Sequence, residues 1–289
     1  MKESAPDPLI NIPPQWNISK EELYNIYCEE KKQAKIIREN SNSGMRKNSY
    51  SQAYETYFKN LPFHPQFTVK KDKSKIKYRI DYQTNQIRDF IKQDTTFVEI
   101  GAGDCSLTIA ISELCNKAIA LEVSHEISKN IELPTNASYV LFDGFNFPLQ
   151  DDSIDIAYSN QLMEHLHPED AEEQIKEIHR FLRSKGCYIC ITPNGLNGPH
   201  DISRFYGDEL VGFHMKEYKA SELKKIFIKN GFRKVKAFTI IKKKRFYIPY
   251  WSINSLEFVL LLFKLKSRRK ICNWPIINRI INATVVAIK

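Results

Sequence analysis

The chain has 289 residues, 42% of them hydrophobic, 27% charged and 12% aromatic, with only 10 glycines and 13 prolines. That composition excludes fibrous, low-complexity and disordered classes, and the length fits one large domain or two modest ones. The formal charge of +9 is unevenly spread: residues 216–289 hold 19 Lys and Arg against 3 acidic residues, whereas residues 99–215 hold 7 against 19 and offer no footprint for a phosphate backbone.

No apolar signal region follows Met1, and the longest strongly apolar run, Phe258 to Phe263, is far shorter than the roughly 20 residues of a spanning helix. A cytoplasmic protein is therefore expected. Its six cysteines (Cys28, Cys105, Cys115, Cys187, Cys190, Cys272) are scattered, without a disulfide framework, and are expected as reduced thiols.

In chain order, the pattern predicts a charged helix around Glu21 to Glu39, a polar stretch from Asn40 to Ser51 and an aromatic patch from Tyr54 to Phe67, an arm without a core pattern of its own. Short apolar runs then predict strands at 96–100, 117–122, 138–142, 154–159 and 186–192. Before the last of these, an amphipathic helix at 170–182 places Ile175, Ile178 and Leu182 on one face, with Gly186 as its stop. A helix at 221–229, capped by Ser221, leads to strands at 232–241 and 283–288. Strands alternating with crossover helices predict an α/β fold: a doubly wound, Rossmann-like, mostly parallel seven-stranded sheet with helices on both faces. The expected organisation is an N-terminal arm or lid (1–77), a core (78–241), a basic amphipathic helical insertion (242–282) and a last core strand (283–289).

The chemistry begins at Glu99-Ile-Gly101-Ala-Gly103, where a buried strand turns into a helix and backbone N–H groups can approach a ligand. A dinucleotide fingerprint wants glycine at position 106, which is Ser106, and the Glu99 carboxylate suits an ammonium group and repels a pyrophosphate. Glu122 ends the second strand, where a doubly wound fold places the acid that accepts from ribose hydroxyls; Asp143 ends the third, and the fourth runs into Ser159-Asn-Gln-Leu-Met-Glu-His-Leu166.

In these motifs and their order, residues 78–241 resemble the class I S-adenosylmethionine-dependent methyltransferases, in their small-molecule, type-11-like branch. The resemblance implies S-adenosyl-L-methionine as cofactor, with Glu99, Gly101 and Gly103 along its methionine moiety, Glu122 at the ribose, Asp143 at the adenine amino group, and Ser159 and Asn160 as the floor. Asp104, Cys105, Val123 and Gly144 complete the expected lining. Cys105 stands where the family has a third glycine.

His165, after the fourth strand, is the candidate general base if the acceptor is a hydroxyl; the plainer reading is a packed helix residue. His200, Asp201, Arg204, His214 and Tyr218, in loops at the carboxyl end of the sheet, are candidates for the acceptor pocket. Cys187 and Cys190 sit at an odd spacing that points them to opposite faces of a strand, and His165 and His167 do not converge with Glu164 along a helix, so no metal site is expected.

The expected function is transfer of a methyl group to an oxygen of a small-molecule or lipid-linked acceptor, such as a glycan. The competing readings are a non-catalytic cofactor-binding regulatory module and a nucleic-acid methyltransferase using the basic C-terminal region; the latter is disfavoured because no RNA-binding module and no base-amine motif is present. The insertion predicts a helix around Ser252 to Leu265 with Ile253, Leu256, Val259, Leu260 and Phe263 on one side. Trp251, Trp274 and the Arg268-Arg269-Lys270 cluster lie nearby. It suits either an anionic membrane surface or packing on the core.

Overall fold

The computed structural model describes residues 5–68, 73–123 and 132–289. Eight strands form one sheet: β1 (Thr96–Ile100), β2 (Lys117–Glu122), β3 (Ala137–Leu141), β4 (Ile154–Asn160), β5 (Leu182–Ile191), β6 (Lys234–Ile241), β7 (Lys244–Ile248) and β8 (Thr284–Ile288), in the order β3-β2-β1-β4-β5-β8-β6-β7. β1 to β5 pair in parallel, whereas β8 inserts antiparallel between β5 and β6. The strand order reverses between β1 and β4, so a ligand crevice opens beyond their carboxyl ends.

The eighth strand, β7, lies in the segment expected to be helical. It is produced by a two-residue hairpin at Lys242-Lys243, whose φ angles of 48° and 64° match the right-handed twist of the flanking strands. Asparagine and glycine normally supply that conformation, and two lysines give no sequence signal for it.

Side chains alternate across the sheet. Val98, Ile100, Leu121, Ala157, Tyr188 and Cys190 belong to one core; Phe97, Ala118, Ile156, Tyr158, Cys187 and Ile189 belong to the other. Cys187 and Cys190 thus lie on opposite faces, as their spacing requires, and burial pushes both thiols up to about 12. All six cysteines are free.

Ten α-helices lie among the described residues: α1 (Lys20–Glu39), α2 (Ser43–Asn60), α3 (Pro65–Thr68), α4 (Lys73–Ile87), α5 (Ser106–Ser112), α6 (Pro168–Phe181), α7 (Ala220–Lys229), α8 (Tyr250–Leu261), α9 (Leu265–Cys272) and α10 (Pro275–Ile281). α1 opens with reciprocal bonds: the Glu22 N–H donates to Ser19 Oγ (3.1 Å) and the Ser19 N–H to Glu22 Oε2 (2.7 Å). Asn42 caps α2 in the same sense by accepting from the Met45 N–H. The polar look of 40–51 hid this helix, because its inward face carries Arg46 and Tyr50 rather than aliphatic residues.

α1 and α2 bury Leu23, Ile26, Ala34, Ile37, Ala53, Tyr57 and Leu61 in the core that α6 and α7 share with the sheet. The fully buried Arg46 guanidinium donates to Asp170 Oδ1 (2.8 Å) and Oδ2 (2.9 Å), and the Tyr50 hydroxyl also donates to Asp170. α2 is thereby fastened to α6 by a charge pair removed from water.

Two local expectations are corrected. Gly186 does not end a helix: α6 stops at Phe181, and Gly186 lies inside β5 beside the irregularity opposite Ile154 and Ile156, where a Cβ would come within 2.8 Å of the Arg183 carbonyl oxygen. Ser221 does not cap α7, which starts one residue earlier, with the Lys219 N–H donating to Glu222 (2.9 Å).

Candidate functional site

The β1–α5 turn is held against the end of β2. The N–H groups of Gly101 and Ala102 donate to the Leu121 carbonyl (2.9 and 3.1 Å), and the Gly103 N–H donates to Glu122 Oε2 (2.7 Å). Gly101 and Gly103 both have positive φ, and a Cβ on Gly103 would meet nothing within 4 Å, so this backbone stands open to a ligand. Cys105 adopts the same left-handed region (φ 55°) with its side chain buried beside Ala102 and Ala120. A glycine would take that conformation without the steric cost of about 1–2 kcal/mol.

Glu122 also accepts from the Val123 N–H (2.8 Å), which leaves each carboxylate oxygen a second lone pair for a hydroxyl. Burial works against ionisation of Asp143, but the N–H groups of Asn146 and Phe145, together with the Asn146 side chain, hold its carboxyl below the usual range. Val123 and Gly144 lie side by side: a Cβ on Gly144 would come within 3.3 Å of Val123 Cγ1. Glu99 is buried and accepts from Thr108 Oγ1 (2.5 Å); desolvation raises its carboxyl to about 8 despite that bond. Asp104 accepts from the Ser106 N–H and meets Arg79 at 3.3 Å. Three acids thus stand at the ends of three adjacent strands, with Glu122 bonded to the open glycine turn, a disposition that fits a cofactor with an ammonium, a ribose and an adenine amino group.

Ser159 departs from its expected role. Its side chain is fully buried and bonded to the Tyr188 hydroxyl at 2.6 Å, directed into the core because β4 continues through Asn160. Asn160 is the half-buried residue at the strand's end.

Beyond β4 the chain turns at Gln161 (φ 56°), and Leu162 comes within 3.6 Å of where a Gly101 Cβ would stand. Leu162 therefore packs against the glycine turn, and Met163, Glu164 and His165 form the short helical turn that follows it. Glu164 is fully buried. Its carbonyl accepts from the N–H groups of Met215 (2.7 Å) and Lys216 (3.2 Å), which brings the 212–218 segment alongside. Its Oε2 accepts from Thr192 Oγ1 (2.9 Å), and burial raises the carboxyl to about 7.

His165 is half-buried, shares a hydrogen bond with the Tyr54 hydroxyl (3.1 Å) and packs edge-on against His214, ring centroids 4.9 Å apart. Desolvation and the neighbouring His214 push its imidazole down to about 3. A general base works best with a pKa near the operating pH, so this setting argues against the base expected from the sequence.

The acceptor candidates divide. His200 and His214 meet on the buried Glu217, through Nδ1 at 2.9 and 2.7 Å respectively. Burial alone would raise Glu217; the hydrogen bonds from His200 and His214 hold it at about 2. Asp201 accepts from the N–H groups of Ser203 (3.0 Å) and His214 (3.3 Å) and so braces the same loop. Arg204 instead lies over the ring of Phe205, and Tyr218 is buried beneath the Lys216 ammonium.

The arm closes over this cluster. Arg38 donates to the carbonyls of Gly212 (2.6 Å) and His214 (2.7 Å), Glu30 accepts from the Phe213 N–H (2.9 Å), and Tyr54 stacks on Phe213. Glu30, Arg38 and Tyr54 carry no local sequence signal for this role, since each acts on residues more than 100 positions away in the chain. His167 does not converge on Glu164 and His165, but His214, about fifty residues on, does. One donor atom from each of the three lies within 4.8 Å of the others. His167 instead caps α6, its ring nitrogen accepting from the Glu169 N–H.

In the insertion, α8 buries Ile253, Glu257 and Leu260 against the body of the protein. Trp251 (73% exposed), Phe258, Val259, Leu261, Leu262 (71%), Phe263, Trp274 and Ile276 remain in solvent. The single apolar side expected for this helix is therefore split, with Ile253 and Leu260 inward and Val259 and Phe263 outward. Arg268 donates to the Leu196 carbonyl and Arg269 to the Gly198 carbonyl and Asp208, so two of the three clustered basic residues hold the loop after β5. No described helix is long and apolar enough to cross a membrane.

Residues 98–190 match a family model described as a methyltransferase domain. Among solved structures, the chain is 18% identical to an S-adenosylmethionine-dependent methyltransferase from Archaeoglobus fulgidus, covering 83% of this chain and all of that one at a TM-score of 0.50. It is 16% identical to a chain in the complex formed by the Haloferax volcanii Trm112 methyltransferase activator, covering 75% of this chain and 94% of that one at a TM-score of 0.52. At such identities the likeness establishes the fold. No curated protein sequence matches the chain. Residues 98–190 are thus a methyltransferase domain by the family model they match, on a fold shared with S-adenosylmethionine-dependent methyltransferases.

Proposed function

We propose that the protein moves a methyl group to an oxygen of a small-molecule or lipid-linked acceptor, bound beneath α1 and α2 and against the 195–218 loops. The observation that carries this reading is the position of the Glu164, His165, His200, His214 and Glu217 cluster: it follows the end of β4, directly after the segment in which Leu162 packs on the glycine turn, and is roofed by Arg38 and Tyr54. The cofactor supplies an activated methyl group on a sulfonium. Glu99 would face its ammonium, Glu122 the ribose and Asp143 the adenine amino group, with Gly101, Gly103, Asp104, Cys105, Val123, Gly144 and Asn160 along its length.

The protein's own contribution is to hold the acceptor oxygen in line at near-attack distance and to exclude water, which supplies much of the barrier reduction in such transfers. The acidic character of residues 99–215 favours a neutral or cationic acceptor over nucleic acid. Extracts incubated with labelled S-adenosylmethionine and purified protein, followed by mass analysis, test this reading. A methylated small molecule or lipid supports it; labelled nucleic acid, or no labelled product despite cofactor binding, would favour the other readings.

The exposed apolar side chains of the insertion support a lipid surface as the place where such an acceptor is met. Aromatic residues anchor at membrane interfaces, and Lys264, Lys266 and Lys270 are exposed beside them; each gains about 1 kcal/mol near an anionic leaflet. Sedimentation with anionic vesicles at low salt, weakened when those three lysines are neutralised, is the expected result; equal recovery with and without anionic lipid would remove this reading.

A further inference from the structure

We propose that Glu164, His165 and His214 form a binding site for one divalent first-row transition-metal ion. One carboxylate oxygen and two imidazole nitrogens lie mutually within 4.8 Å, two of the three residues being buried and the third half-buried. Donors on one such ion stand roughly 3 to 3.5 Å apart at metal–ligand distances of about 2.0–2.2 Å, so small side-chain rotations complete the set.

Two further observations point to an ion rather than a packed polar cluster. The first is an orphan: Glu164 is fully buried, its Oε2 is taken by Thr192, and Oε1 has no hydrogen-bond partner among the described residues. A buried carboxylate oxygen without a partner is costly in a folded protein unless a ligand supplies what is missing. The second is the support behind each ligand. His214 Nδ1 is bonded to the Glu217 carboxylate (2.7 Å), His165 Nδ1 to the Tyr54 hydroxyl (3.1 Å), and Glu164 to Thr192. His214 therefore has one ring nitrogen engaged by a carboxylate and the other left for a metal, while His165 is held in place by Tyr54 and by the Phe213 backbone. That is the arrangement that orients imidazoles in metal centres, and a carboxylate behind the histidine is its commonest form.

Two histidines and one carboxylate suit zinc, manganese, iron or cobalt rather than calcium, and they leave coordination positions open. The role of those positions rests on the methyl-transfer reading: they would take the oxygen of a hydroxylated acceptor and lower its pKa, the proton passing to solvent as the new O–C bond forms and the S–C bond breaks with its electron pair left on sulfur. This would relieve His165 of the need to act as a base.

The test is independent of turnover. Protein stripped with chelator is titrated with Co2+ alone and followed by its visible d–d absorption, and S-adenosylmethionine binding is measured in parallel by calorimetry. One equivalent of Co2+ with a histidine-type spectrum, lost in both Glu164→Gln and His214→Ala while those variants keep cofactor binding, is the expected result. Glu164→Gln is near-isosteric, and its circular dichroism and cofactor binding report whether it is folded. Absence of Co2+ uptake by wild type that binds cofactor would overturn the proposal, as would uptake unchanged in the folded Glu164→Gln variant. Metal uptake without cofactor binding would leave the metal site standing and would count against the methyl-transfer reading.

Discussion

The two ends of the crevice are built on different scales of the chain. At the cofactor end, the bond from the Gly103 N–H to Glu122 spans 19 residues, and each acid stands at the end of its own strand. At the acceptor end, Arg38 reaches His214 across 176 residues, Glu30 reaches Phe213 across 183, and Tyr54 reaches His165 across 111. Local βα units can thus set up the proposed cofactor site almost by themselves, whereas the proposed acceptor pocket forms only once the N-terminal helices have docked. Perturbing the docking should therefore damage the acceptor end and spare cofactor binding.

The sharpest way to break this contrast is the buried pair that fastens α2 to α6. Arg46→Ala leaves the Asp170 carboxylate buried without its partner and is expected to lower stability by about 3–5 kcal/mol, read from urea unfolding. A loss below about 1 kcal/mol would show that the roof does not depend on this pair. On the cofactor side, Glu122→Ala should weaken S-adenosylmethionine binding by about 1.5–3 kcal/mol by calorimetry, since a charged acceptor of ribose hydroxyls is removed. Unaltered affinity would take Glu122 out of the site.

Glu99 makes the cofactor end sensitive to pH. Its carboxyl is raised to about 8 by burial, so at pH 7 the cofactor-free protein holds most of this proton, and an ammonium placed beside it should drive the proton off. Calorimetry in two buffers of different ionisation enthalpy should report release of up to about one proton on binding at pH 7 in wild type, and none in Glu99→Gln. The stability sign follows from the same shift. The folded state binds this proton more tightly than the unfolded chain, so the Glu99 contribution to cofactor-free stability is fully present below the unfolded value of 4.5 and is lost as pH rises toward 8. A stability contribution that instead rose over that window, compared with Glu99→Gln, would refute the assignment.

The smallest effect on stability belongs to the exposed face of the insertion. Trp251→Ser with Leu262→Ser should change the unfolding free energy by no more than about 0.5 kcal/mol each, because both side chains are already in water. Vesicle sedimentation should nevertheless fall; a large loss of stability would mean that these residues pack on something other than solvent.

From β1 to β5 the elements were readable because strand alternation, the glycine turn and terminal acids are features of a few consecutive residues: the boundaries of β1 and β2 coincide with the apolar runs. α2 was missed because its inward Arg46 and Tyr50 bury polar groups whose partners sit on α6, and β7 because two lysines occupy a turn usually marked by glycine.

Sequence alone determined the succession of the strands β1 to β4 along the chain, the open glycine turn and the acids at the strand ends, since each depends on local periodicity and on residues at strand ends. Only the tertiary structure decided that Ser159 points into the core, that Val259 and Phe263 face solvent while Ile253 faces inward, and that His214 joins Glu164 and His165. The physical reason is the same in each case. A side chain's burial and its partners are set by what packs against it, and for these residues the packing comes from segments dozens to more than a hundred positions away, whose arrival no local pattern encodes.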